Sequence, residues 1–192
     1  MTPTQKQSLL QSIHDARAPI AAFSIGVIGF ALPSIRQLLL PGEGNKVIFP
    51  TEQCPVIKTD QNNKVNASGH YELQLDPSLE YVLSDSRNSF AFINLSVKAA
   101  LLHVGDAFSG VEYFDRSPEL EFLRHTRNAV AHGNRFNITS PLKRPAFFRS
   151  YSISETLHGR QLLKDREGDG YLYAGDALAL LDFLEIKIAA SC

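Results

Sequence analysis

Tryptophan is absent, methionine occurs once, and the two cysteines, Cys54 and Cys192, stand far apart with no CxxC spacing. That excludes a disulfide framework, supplies no zinc-ligand pattern, and fits a reducing, cytoplasmic setting with no cofactor expected. Charge of one sign is also lacking: 19 Lys and Arg oppose 20 Asp and Glu, for a formal net charge of -1. A global attraction to nucleic acid or an anionic membrane is thereby excluded, so any RNA contact must come from a local patch. The polar start Met1-Thr2-Pro3-Thr4 opens no signal peptide. The longest charge-free stretch, between Arg17 and Arg36, is interrupted by Pro19 and Pro33. It barely reaches bilayer length, and a buried bundle helix is expected there instead of a membrane span.

What is present reads as one soluble domain over 1–192, with 44% hydrophobic and 20% charged residues. Leu9, Leu10 and Ile13 begin a helical period that runs to about Leu40, with Pro19 and Pro33 expected to kink or split it. Residues 41–87 turn to Pro, Gly, Asn and Asp, with β-like pieces at Val56-Ile57-Lys58 and from Tyr71 to Leu75, which predicts an irregular insertion with a loose hairpin at best. Phe90, Ile93, Val97, Ala100, Leu101 and Val104 then mark a central core helix, for which Gly105 is the expected C-terminal cap. Ser117-Pro118-Glu119 supplies an N-cap, a first-turn proline and an acid for a helix over 120–133, ended by Gly133. A small β-hairpin region is expected over 145–173, its strands at Ala146–Ile153 and Gln161–Leu163 joined around His158-Gly159. Gly175-Asp176 then caps a helix over 175–190 carrying the stripe Leu180, Leu181, Leu184 and Ile188. The fold class expected is mainly α, an antiparallel helical bundle with a small hairpin before the last helix.

Within the 120–133 helix the run Arg127-Asn128-Ala129-Val130-Ala131-His132-Gly133 places a guanidinium, an amide and an imidazole on a capped helix. This segment resembles the signature of the HEPN family, an Arg, a polar residue, three further residues and a His. The order of elements is similar as well. The resemblance implies a HEPN-like bundle, a homodimer whose two motif helices meet across a two-fold axis, and metal-independent cleavage of RNA. It is closest in kind to bacterial stand-alone HEPN proteins, which implies a toxin-like or defence-related endoribonuclease held in check by an antitoxin or other regulatory protein.

Helix geometry adds a constraint of its own. Asn128 and His132, four apart, share a face, whereas Arg127 and His132 are about 140° apart around the axis. Metal-free cleavage needs groups that move protons at the 2′-hydroxyl and the leaving oxygen, and a cation on the phosphate. His132 is the expected acid/base, Arg127 the phosphate cation and Asn128 a donor that orients it. From Phe122 to Ser154 there is no Asp or Glu, while Arg124, Arg127, Arg135, Lys143, Arg144 and Arg149 all fall there. Arg124, His125, Arg135, Lys143, Arg144 and Arg149 are therefore the expected RNA contacts. Phe136, Phe147, Phe148 and Tyr151 are interleaved with them, either to stack on bases or to pack as core. A rival reading keeps the same cleft as a non-catalytic module binding RNA or a protein.

Two other patterns are weaker. Asp165, Glu167, Asp169 and Asp176 imitate a calcium loop, but no entering helix precedes them and a polar turn accounts for them. Gly42-Glu-Gly-Asn-Lys46 lacks phosphate-loop spacing.

Overall fold

Apolar residues at steps of three and four decide the first element. Leu9, Ile13, Ala16 and Ile20 lie on one side of α1 (Pro3–Ala31) and are all buried. The computed structural model describes residues 1–31, 46–50, 63–66, 70–165 and 167–191. Pro33, the expected helix end near Leu40, and Val56–Lys58 lie outside them. α1 runs unbroken through Pro19, where a kink or split was expected. A mid-helix proline removes a donor and crowds the preceding turn. Here Ala16 and Ile20, buried on either side of it, hold the helix to the core and offset that cost.

The chain forms two compact units, one of residues 1–22 with 90–192 and one of 23–89. The expected irregular insertion falls in the second, and its described residues form more than a loose hairpin. Strands β1 (Lys46–Pro50), β2 (Asn63–Asn66) and β3 (His70–Gln74) form an antiparallel sheet with β3 in the centre. Phe49 and Val65 both pair with Tyr71. Lys46-Val-Ile-Phe-Pro50 carries the β-branched and aromatic residues of a strand, a signal masked by its Gly- and Pro-rich surroundings. Helix α2 (Leu75–Ser84) follows, and Asn88 donates its side-chain N–H to the Tyr81 carbonyl at 2.7 Å.

Helix α3 (Ser86–Ser109), which belongs to the first unit from Phe90 onward, buries Val97, Ala100, Leu101, Val104 and Phe108. Among the described residues α3 is the one helix long and apolar enough by composition to cross a membrane, yet those five side chains are packed in the core. Gly105 does not end it. A Cβ at Gly105 would stand 2.4 Å from Arg127 Cγ and 2.6 Å from Arg127 Cβ, so glycine serves a close helix approach instead of a cap. The following turn holds Glu112, Tyr113 and Arg116 at positive φ, and Tyr113 donates its hydroxyl to the Gly105 carbonyl at 3.0 Å. Helix α4 (Pro118–Ala131) starts where expected, with Pro118 leading the first turn and Ser117 at the N-cap position, although the Ser117 hydroxyl makes no cap hydrogen bond. Gly133 at φ 71° and Asn134 at φ 66° turn the chain away directly after His132.

The small hairpin before the last helix is present but tighter than expected. β4 (Phe147–Phe148) pairs with β5 (Tyr151–Ser152) across Arg149-Ser150, not with residues 161–163. Gln161 and Leu163 make single bridges to Arg135 and Leu172, and Leu162 and Leu163 are fully buried. Their apolar run reflects burial in the core, which resembles a strand in sequence. Helix α5 (Ala174–Ala190) buries Leu180, Leu181, Leu184 and Ile188. Asp176 does not cap it; its carboxylate accepts the Tyr151 hydroxyl at 2.7 Å and ties the hairpin to α5. Arg17 of α1 pairs with Asp182 and Glu185 of α5, and Lys6 donates to the carbonyls of Ala189 and Ser191 at 2.8 and 2.9 Å.

Candidate functional site

One side of α4 is polar because its other side is committed to the core. Leu120, Phe122, Leu123, Ala129 and Val130 are buried, which leaves Glu121, Arg124, His125 and Asn128 at steps of three and four along a second stripe. These four form one wall of a cleft of about 650 Å³, closed by Arg116 and by the loop that carries Asn137, Lys143 and Arg144.

The cleft is built around a buried carboxylate. Glu121 is 1% exposed, and Arg124 donates its Nε to Glu121 Oε2 at 2.7 Å. Arg116 Nε lies 3.3 Å from the other oxygen, Oε1, which receives no hydrogen bond. Arg124 Nη2 is 2.9 Å from His125 Nε2. Burial, with the Arg124 charge beside it, pushes the His125 imidazole down to about 4, so the ring is neutral near pH 7. A neutral ring facing a guanidinium must accept through Nε2, which leaves its proton on Nδ1. Lys143 and Arg144 are exposed at the rim. Four cations and one carboxylate thus line the cleft, and an oxyanion entering it meets a strong local excess of positive charge in a molecule of net charge -1.

The three residues of the Arg-Asn-x-x-x-His run point different ways. Asn128 lines the cleft. Arg127 is turned to α3: its stem covers Gly105, and its Nε and Nη2 reach Asp106 Oδ1 at 2.7 and 2.5 Å. Its remaining terminal nitrogen, Nη1, points to Asn128 Oδ1 at 3.4 Å. His132 is exposed at the C-cap, with Nε2 3.3 Å from the side-chain nitrogen of Asn137, a cleft residue, so the imidazole sits at the margin.

Of the expected RNA contacts, Arg124, His125, Lys143 and Arg144 come together in the cleft. Arg135 and Arg149 do not. Arg135 donates to the Gly159 carbonyl at 2.9 Å, and Arg149 lies over the Phe148 ring at 5.1 Å. Phe136 and Phe148 are core residues, Tyr151 is held by Asp176, and Phe147 is 43% exposed. Arg116, Glu121 and Asn137 join the site without having been singled out. Arg116 precedes the acid-free segment, and its positive φ of 52° has no sequence signal. An acid in a first helical turn, such as Glu121, is ordinarily a dipole partner.

Among the described residues no three His, Cys, Asp or Glu side chains gather as a metal-ligand set. Asp165 instead accepts the Asp169 backbone N–H at 2.9 Å and closes a polar turn. No family model, no curated protein and no solved structure matches this chain.

Proposed function

We propose that this protein is a HEPN-like, metal-independent endoribonuclease that acts as a homodimer in the cytoplasm. The observation that carries the reading is the cleft in which Asn128 lies among Arg116, Arg124, Lys143 and Arg144, with His132 at its margin. In this reading the RNA 2′-oxygen attacks the adjacent phosphorus, the P–O5′ bond breaks, and the products are a 2′,3′-cyclic phosphate and a 5′-hydroxyl. The 2′-hydroxyl proton is lost and the leaving 5′-oxygen is protonated, with His132 as the acid/base group. Asn128 donates to the phosphorane, and Arg127, anchored on Asp106, holds the Asn128 amide and adds its charge beside it. Dimerisation supplies a second α4 and a second His132 to the same phosphodiester. A toxin-like or defence role, with an antitoxin or other regulatory protein covering the cleft, follows from the same reading.

Incubation of single-stranded RNA with the protein in EDTA tests it. Wild type should yield cyclic-phosphate ends, and His132→Ala and Arg127→Ala should abolish them while the fold and dimer persist. Cleavage retained by both variants overturns the assignment.

One observation favours a second reading, a non-catalytic module that binds RNA or a protein. Asp106 occupies Arg127, and His132 lies outside the cleft proper. Wild-type protein that binds RNA and never forms a cyclic phosphate would select it.

A further inference from the structure

Glu121 has no ordinary reason to be buried. A carboxylate 1% exposed is costly unless paired, and one of its oxygens still lacks a hydrogen bond. What it does is hold two arginines. Arg124 and Arg116 both face it through Nε, so the terminal amino groups of Arg116 and the Nη1 of Arg124 remain for something else. Arg116 is brought there by a backbone in the left-handed region, φ 52°, braced by its own N–H donating to the Tyr113 carbonyl at 2.8 Å. Strain of this kind persists where the surroundings demand it, and it clusters at binding sites.

We propose that Arg116 and Arg124, aligned by Glu121, form a clamp for an RNA phosphodiester, and that Glu121 is its positioning residue. The clamp rests on the ribonuclease reading for the identity of its ligand, and it adds residues that reading does not use. Two guanidiniums presented by their terminal N–H groups match a phosphate's non-bridging oxygens as a planar fork. Lys143 and Arg144 at the rim extend the positive path to neighbouring phosphates. His125 is neutral, so it adds no charge, and its acceptor nitrogen fixes one edge of Arg124.

The test uses a 2′-O-methyl RNA oligonucleotide, which cannot be cleaved, with affinity measured over a salt series. Arg116→Ala should weaken binding by roughly tenfold, as for loss of a charge-assisted hydrogen bond, and lower the salt slope by about 0.7. Arg116→Lys keeps the charge but not the fork, and should not restore affinity. Glu121→Gln gives the sharpest outcome, because it raises the net charge by one. Simple attraction makes that variant bind more tightly; a clamp that needs alignment makes it bind more weakly. Wild-type affinity in Arg116→Lys, or unchanged or tighter binding by Glu121→Gln, overturns the proposal. Should Glu121→Gln fail to fold, the two Arg116 variants decide alone. Weakened binding in those variants with no cleavage by wild type leaves the clamp and removes the ribonuclease. Unaltered binding with intact cleavage does the reverse.

Discussion

Gly105 of α3 packs directly against the stem of Arg127 of α4, with no room for a side chain between them. Adding a methyl at Gly105 forces the helices apart, at about 1–3 kcal/mol for overpacking. Gly105→Ala should therefore lower the melting temperature by several degrees, about 2–4 °C per kcal/mol for a protein of this size. Arg127→Ala should not rescue it, because the Arg127 Cβ itself lies 2.6 Å from the added atom. A thermal melt of the single and double variants checks both statements. His125 gives a second prediction at this scale. Its folded-state value of about 4 lies below the unfolded value of about 6.5, so the unfolded chain binds more protons in between. The imidazole thus costs no stability above about pH 6.5 and destabilises progressively as pH falls toward 4. His125→Asn should flatten this part of the profile relative to wild type in melts between pH 4 and 7. A parallel loss in both proteins would show that other groups dominate.

Elements were legible wherever one physical signal set them. The α4 start followed from Ser117 and Pro118, its end from Gly133, and the core stripe of α5 from Leu180, Leu181, Leu184 and Ile188. The hairpin was legible in kind but not in register. Burial in the core and pairing in a sheet produce the same apolar run at Leu162-Leu163, and only long-range packing shows that both residues are fully buried and that the segment makes single bridges to Arg135 and Leu172 instead of pairing with β4. Asp176 shows a similar exchange, an apparent cap that holds Tyr151 instead. Tyr151→Phe should cost about 1 kcal/mol, the net worth of one hydrogen bond, and loosen the hairpin without disturbing α4. Amide exchange at β4 and β5 would report it. Full protection in that variant would mean that the aromatic packing of Tyr151 on Tyr171, with ring centroids 5.4 Å apart, suffices.

At the scale of the whole molecule the charges nearly cancel, yet they are not mixed evenly. Acidic groups of α5 are occupied by α1, whereas Lys143 and Arg144 stand at the rim of a cleft that already holds two arginines. Lys143→Glu with Arg144→Glu should abolish the proposed RNA binding at about 150 mM salt while leaving the melting temperature within about 2 °C, since exposed charges contribute little to stability. Filter binding together with a melt measures both, and undiminished binding would remove these residues from the proposed RNA site. The sequence by itself determined the helical class, the start and end of α4, the acid-free basic segment and the angular separation of Arg127 from His132, because these follow from local periodicity and composition. Only the tertiary structure decided which cations share a cleft. Arg124, Lys143 and Arg144 converge with Arg116, while Arg135 and Arg149 lie outside the cleft, one beside the Gly159 carbonyl and the other over the Phe148 ring. Convergence depends on how loops return to a helix face, and that is governed by long-range packing and by strained backbone such as Arg116, for which neighbouring residues carry no signal.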